Sequence, residues 1–122
     1  MFESLKIAIL PEPNRDRILN VGLRLAMEFG EHWLQPIQAR LSKSFPKLTA
    51  EELDEYNTIC QAAMKEGHDR IYKIAEEKGK DTALEDFRPA MEIKYPWING
   101  RNFSRLYSQG MYYAWKDGLL TY

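Results

Sequence analysis

Cysteine is almost missing from this chain: Cys60 is the only one in 122 residues. No intrachain disulfide can form, so a packed core must hold the fold, and a reducing cytoplasmic setting is expected. Histidine is scarce as well, with only His32 and His68, which leaves few ligands for a transition metal. Net charge is nearly absent at −1. That disfavours a strongly basic nucleic-acid binder or a polybasic membrane protein. No apolar run approaches the ~20 residues that cross a bilayer. Residues 1–10 do not read as a signal peptide, because Glu3 sits where cations belong and the run from Ile7 to Leu10 is short. Gly-rich phosphate loops, nucleophile elbows and paired zinc motifs are lacking too.

What remains is the composition of an ordinary globular protein, 44% apolar and 29% charged, long enough for one domain over residues 1–122. The charge is unevenly spread. Residues 1–48 hold seven basic and five acidic side chains, residues 49–92 six and twelve, and residues 93–122 four and one. An acidic middle beside a basic end permits pairing within the chain or between copies, weakened by salt.

Helical spacing dominates. Thr49 and Glu52 form a capping box, with Leu48 and Leu53 at the staple positions around it. Leu53, Tyr56, Cys60, Ala63, Gly67, Ile71 and Ile74 then recur every three or four residues. Opposite charges four apart mark the other face, and Gly79 suits a C-terminal cap. These signals predict a helix over 50–78, with Gly67 as a possible bend. A first long helix is expected from Asn14, carrying Ile18, Val21, Leu25, Phe29, Trp33, Ile37 and Leu41 on one buried stripe. Pro36 lacks a backbone donor and crowds the preceding turn, which predicts a kink or break between 30 and 36. A weaker box at Thr82 and Glu85 opens short helical turns punctuated by Pro89 and Pro96. A last helix is expected over 102–117. The expected fold is all-α, a four-helix bundle-like single domain. Its two long helices form an antiparallel hairpin through 42–49, the first kinked near Pro36, and shorter C-terminal helices pack on them. Residues 1–13 are expected to form an arm or a short helix.

The chemistry-bearing residues make a poor catalytic case. Glu28, His32, Trp33 and His68 could line a ligand or metal pocket near Pro36. Neither histidine, however, has a glutamate three residues before it, as a di-iron carboxylate bundle requires. Cys60 lies on the apolar stripe, where a thiol is core filler, and the acids of 51–55 serve the helix start. No catalytic residue, cofactor or metal ligand is assigned, and enzyme activity is disfavoured without being excluded.

The last quarter is more informative. It holds Tyr95, Trp97, Phe103, Tyr107, Tyr112, Tyr113, Trp115 and Tyr122, eight of the fifteen aromatics. Phe103, Tyr107 and Met111 fall on the core side of the last helix. Arg101, Arg105, Tyr112, Trp115 and Lys116 fall on the other, with Trp97 as a neighbour. Such aromatic and cationic side chains are favoured anchors at interfaces. The expected function is association, as a homo-oligomer or a partner-binding module, through this surface. A small-ligand pocket is the alternative. Single-stranded nucleic acid is a weaker one, since four cations are few.

Overall fold

A computed structural model describes residues 11–120, and among these every regular element is helical. Helix α1 spans Pro11–Ala26, α2 Gln38–Ser44, α3 Ala50–Lys78, α4 Leu84–Lys94 and α5 Gly100–Lys116. Single 3-10 turns occupy Gly30–His32 and Gly79–Asp81. Of the expected arm or short helix at residues 1–13, residues 1–10 lie outside the described residues, and residues 11–13 already belong to α1.

Helix α3 follows its sequence signals. Thr49 Oγ1 accepts from the Glu52 amide at 3.1 Å, and the Glu52 carboxylate accepts from the Thr49 amide at 2.9 Å. Gly79 ends the helix at φ +55, ψ −130, a positive-φ conformation that glycine enters readily because it has no Cβ. The helix runs unbroken through Gly67, where it comes close to α5: a Cβ there would lie 3.1 Å from Leu106. Helix α4 uses a different acid from the expected one. Asp86, not Glu85, accepts from the Ala83 amide at 2.7 Å, while Thr82 donates to Gly79 O.

The first long helix does not form as one piece. Helix α1 stops at Ala26, and residues 27–37 run as a loop through Gly30 at φ +91 and Leu34 at φ +64. Pro36 closes that loop. The interruption is therefore wider than a kink at Pro36, and it changes the topology. Arg17 lies over Phe45, and a Cβ at Gly22 would meet Ile37, so α1 and α2 run antiparallel. Arg15 pairs with Glu55, while Leu19 O accepts from the Cys60 thiol, so α1 and α3 run parallel. The antiparallel hairpin expected of two long helices is formed by the short α2 against α3, where Ile37 N donates to Asn57 Oδ1 and Gln38 to Asp54. The chain thus reverses direction at each connection from α1 to α5.

One core runs through all five helices, including Leu23, Ile37, Leu41, Cys60, Ile71, Phe87, Met91, Phe103 and Leu106. A polar clasp fixes the start of α5 on α1. Asn20 Nδ2 donates to Trp97 O at 2.8 Å, Asn20 Oδ1 accepts from the Asn99 amide at 2.9 Å, and Asn102 Nδ2 donates to Asn20 O at 2.9 Å. Asn99 also caps α5, accepting from the Asn102 amide. These bonds set which face of α5 meets the core.

Candidate functional site

The site lies at a step in the bundle. Helix α1 ends at Ala26 while its parallel neighbour α5 continues past it, so among the described residues no helix lies on the outer face of the last two turns of α5. Successive α-helical residues turn by about 100°, which puts Arg101, Arg105, Ser108, Tyr112, Trp115 and Lys116 on one side of α5. Phe103, Leu106, Gly110 and Ala114 occupy the other side and are buried.

The loop 27–37 supplies the second wall, and it is tied down by its backbone. Arg40 donates to Leu25 O at 2.9 Å, to Gln35 O at 3.2 Å and to Pro36 O at 3.3 Å. The same guanidinium pairs with Glu28 at 2.8 Å. A cation on the last carbonyls of α1 satisfies acceptors the helix leaves open. Gln61 also donates to Gln35 O, and Gln109 donates to Met27 O. With its backbone anchored, the loop still points apolar side chains at solvent: Phe29 is 57% and Leu34 65% exposed.

Rings from loop and helix form one connected set. Trp33 stacks on Tyr113 at 6.1 Å, and Phe29 lies 4.9 Å from Trp33. Phe29 meets the edge of Tyr112 at 6.2 Å, and Tyr112 contacts Trp115 at 6.1 Å. Centroid separations of 4.5–7 Å are those of favourable aromatic pairs. His68 closes the inner side, 5.6 Å from Tyr113 and 6.2 Å from Trp33. Its Nε2 is 3.0 Å from Gln109 Oε1. Because the Gln109 amide nitrogen donates to Met27 O, its oxygen faces the ring, so the imidazole Nε2 carries the hydrogen.

Burial pushes the His68 imidazole below its ordinary value of 6.5, outweighing the Gln109 bond and the Asp69 charge that pull it up. The folded state therefore holds this proton more weakly than the unfolded chain. The stability it contributes is complete above about pH 6.5 and is lost as pH falls below that toward the folded value. Urea midpoints should drop between pH 6.5 and 5 in the wild type, and His68→Gln should flatten that limb. A wild-type midpoint constant over this range would contradict the buried neutral histidine. Below it, Glu66 adds its own loss, since the Lys94 bond holds its carboxyl below the usual 4.5.

Two recesses adjoin on this face. A cleft of about 500 Å3 is lined by Phe29, Arg105, Ser108, Gln109 and Tyr112. A smaller one of about 200 Å3 is lined by Arg24, Glu28 and Arg105. Arg105 stands between them.

The structure places Arg101, Arg105, Tyr112, Trp115 and Lys116 on one face and separates Trp97 from them. Trp97 sits in the turn before α5, against the core and edge-on to Tyr95, on the order of 25 Å from Trp115. Of Glu28, His32, Trp33 and His68 the structure brings together Trp33 and His68, 6.2 Å apart, while Glu28 pairs with Arg40 and His32 is exposed beside Glu31. Among the described residues no three His, Cys, Asp or Glu side chains group as metal ligands, and no helix is long and apolar enough to cross a membrane. The Cys60 thiol is pushed up to about 12 by burial and donates to Leu19 O, so it is inert as a nucleophile. Comparison of this chain with protein families, curated proteins and solved structures gives no match.

Proposed function

We propose that this chain acts by association, as a homo-oligomer or as a partner-binding module, through the outer face of α5 and the loop before α2. The supporting observation is a connected trio of large apolar side chains left open to water: Phe29, Tyr112 at 46% and Trp115 at 62% exposure. Scattered exposed apolar residues need no explanation, and Ile93 is one such. A connected aromatic set on an anchored backbone is different, because burying it in a partner releases water at little ordering cost. Arg105 and Lys116 flank it with cations on the same helix face, and Arg101 continues that face toward the start of α5, as interface rims commonly carry charge. Leu34 strengthens the reading: a leucine in the left-handed region costs about 1 kcal/mol, and here it holds an apolar side chain outward.

Size-exclusion chromatography with light scattering tests this. The wild type should run above the monomer mass, or hold a partner, and Tyr112→Ala with Arg105→Glu should abolish either. Ile93→Ala should change nothing. A wild type that is strictly monomeric and retains no partner sensitive to the double substitution counts against the proposal. Salt-sensitive binding of single-stranded nucleic acid, weakened by Arg101→Ala, would assign the surface to that polyanion instead.

A further inference from the structure

The larger recess lies within this surface and the smaller reaches past it to Arg24 of α1, and together they have a chemistry of their own. The larger is walled by the rings of Phe29 and Tyr112, and its volume of about 500 Å3 falls within the range of small-molecule sites. Its floor is polar. Gln109 is 5% exposed and held in place by His68 and Met27 O, while Ser108 offers a hydroxyl beside it. Arg105 forms the boundary with the smaller recess, where Arg24 and Glu28 are the other lining groups. The Glu28 carboxylate is already neutralised by Arg40 at 2.8 Å. Arg24 and Arg105 have no ion-pair partner among the described residues. The nearest other acid along the loop, Glu31, lies against His32 and lines neither recess. An apolar slot thus opens onto two guanidinium groups without an ion-pair partner, beside a Glu28 carboxylate that Arg40 already holds.

We propose that this cleft binds a small amphipathic anion: an alkyl or aromatic body between Phe29 and Tyr112, with one carboxylate or phosphate head on Arg105 and Arg24. Charge selects the sign of the ligand. A cationic head would meet both guanidinium groups, whereas an anion receives charge-assisted hydrogen bonds from planar forks suited to carboxylate and phosphate. The Ser108 hydroxyl is a further donor to the head. The slot is open along one side, so the body stays partly wet and affinity is modest.

The test uses decanoate, decyl phosphate and decyltrimethylammonium, all below micelle-forming concentration, titrated into the full chain while amide and side-chain NMR shifts are followed. Both anions should saturate, shifting Phe29, Ser108, Tyr112 and the Gln109 side-chain amide, with the cation at least tenfold weaker. Arg105→Ala and Arg24→Ala should each weaken anion binding about tenfold. Arg24 lies outside the proposed association face, so Arg24→Ala should leave the oligomeric state unchanged; the two proposals therefore fail separately. Circular dichroism confirms that each variant stays folded. Equal binding of cation and anion, or shifts centred elsewhere such as around Ile93, would overturn the assignment. Phosphatidylglycerol vesicles form a further arm. Sedimentation with vesicles, without saturable binding of the soluble anions, would also overturn it, by showing a membrane surface rather than a small-ligand site.

Discussion

Phe103→Ala is expected to lower the unfolding free energy by about 3–5 kcal/mol, the range for truncating a buried phenylalanine. Phe103 is 1% exposed and sits where α5 meets α4. Its ring faces Phe87 edge-on at 6.1 Å, and Phe87 in turn stacks on Tyr107 at 6.4 Å. The Arg88 guanidinium lies 5.2 Å from the Phe103 centroid while pairing with Glu92. Alanine would remove the transferred apolar area and leave a void that Phe87 can fill only by leaving Tyr107. Each aromatic pair adds about 0.5–1.5 kcal/mol beyond area burial, so the loss belongs at the upper part of the range. Tyr107 is itself pinned by its bond to Thr82 O at 3.0 Å, which limits collapse into the cavity.

Trp115→Ala on the same helix supplies the contrast. That ring is 62% exposed, and surface changes of this kind stay within about 0.5 kcal/mol. Urea unfolding of both variants separates the two faces of α5. A Phe103→Ala cost below about 1 kcal/mol would mean that α4 does not pack on α5 as described. Stability from one face and association from the other would then be independently adjustable, as the exposure pattern requires.

The legible parts of this molecule are those set by local chemistry. The helix over 50–78 could be read to the residue because Thr49, Glu52 and Gly79 each act within four residues of where they stand. The partition of α5 into a buried and an open face followed from the helical period alone, which is why Arg105, Tyr112 and Trp115 were identifiable and fell together. The same period does not hold for Phe29. Its spacing from Leu25 and Trp33 fits a helical stripe, but the chain leaves the helix at Ala26 and turns the ring outward. Proline marked the interruption, yet its extent depends on Arg40, which collects carbonyls from 25, 35 and 36, a tertiary arrangement no spacing rule contains. Trp97 is near the patch in sequence only, because Asn20 holds its backbone at the opposite end of α5. A signal for that clasp did exist. Asn20 interrupts an apolar run between Leu19 and Val21, and Asn99 stands three residues before Asn102, in cap position. Gln109 carried no signal at all, since its value lies in joining His68 to Met27 O across two other elements.

Gly110→Ala should destabilise the fold by about 2 kcal/mol, opposite in sign to the usual effect of this exchange within a helix. Alanine is favoured over glycine in helix interiors by about 1 kcal/mol. At Gly110, however, a Cβ would lie 2.8 Å from Ile71 Cβ, 2.7 Å from Cδ1 and 2.9 Å from Cγ2. A side-chain tip can rotate away, but the Ile71 Cβ is fixed to the α3 backbone. The helices must therefore separate, and overpacking of this kind costs about 1–3 kcal/mol. Gly100→Ala, where nothing lies within 4 Å, should be neutral or slightly stabilising. The displacement also has a functional reading. The α3–α5 contact at Gly110 sits within one turn of the His68–Gln109 bond and of Tyr113, which carries the Trp33 stack. Pushing α5 outward by a few tenths of an ångström loosens that stack and the wall of the cleft together. Gly110→Ala should therefore change tryptophan emission in the folded state as well as the urea midpoint, while Gly100→Ala changes neither. A stabilised Gly110→Ala would show that α3 and α5 are further apart than this, and with it that the aromatic face is less firmly built than the proposed association requires.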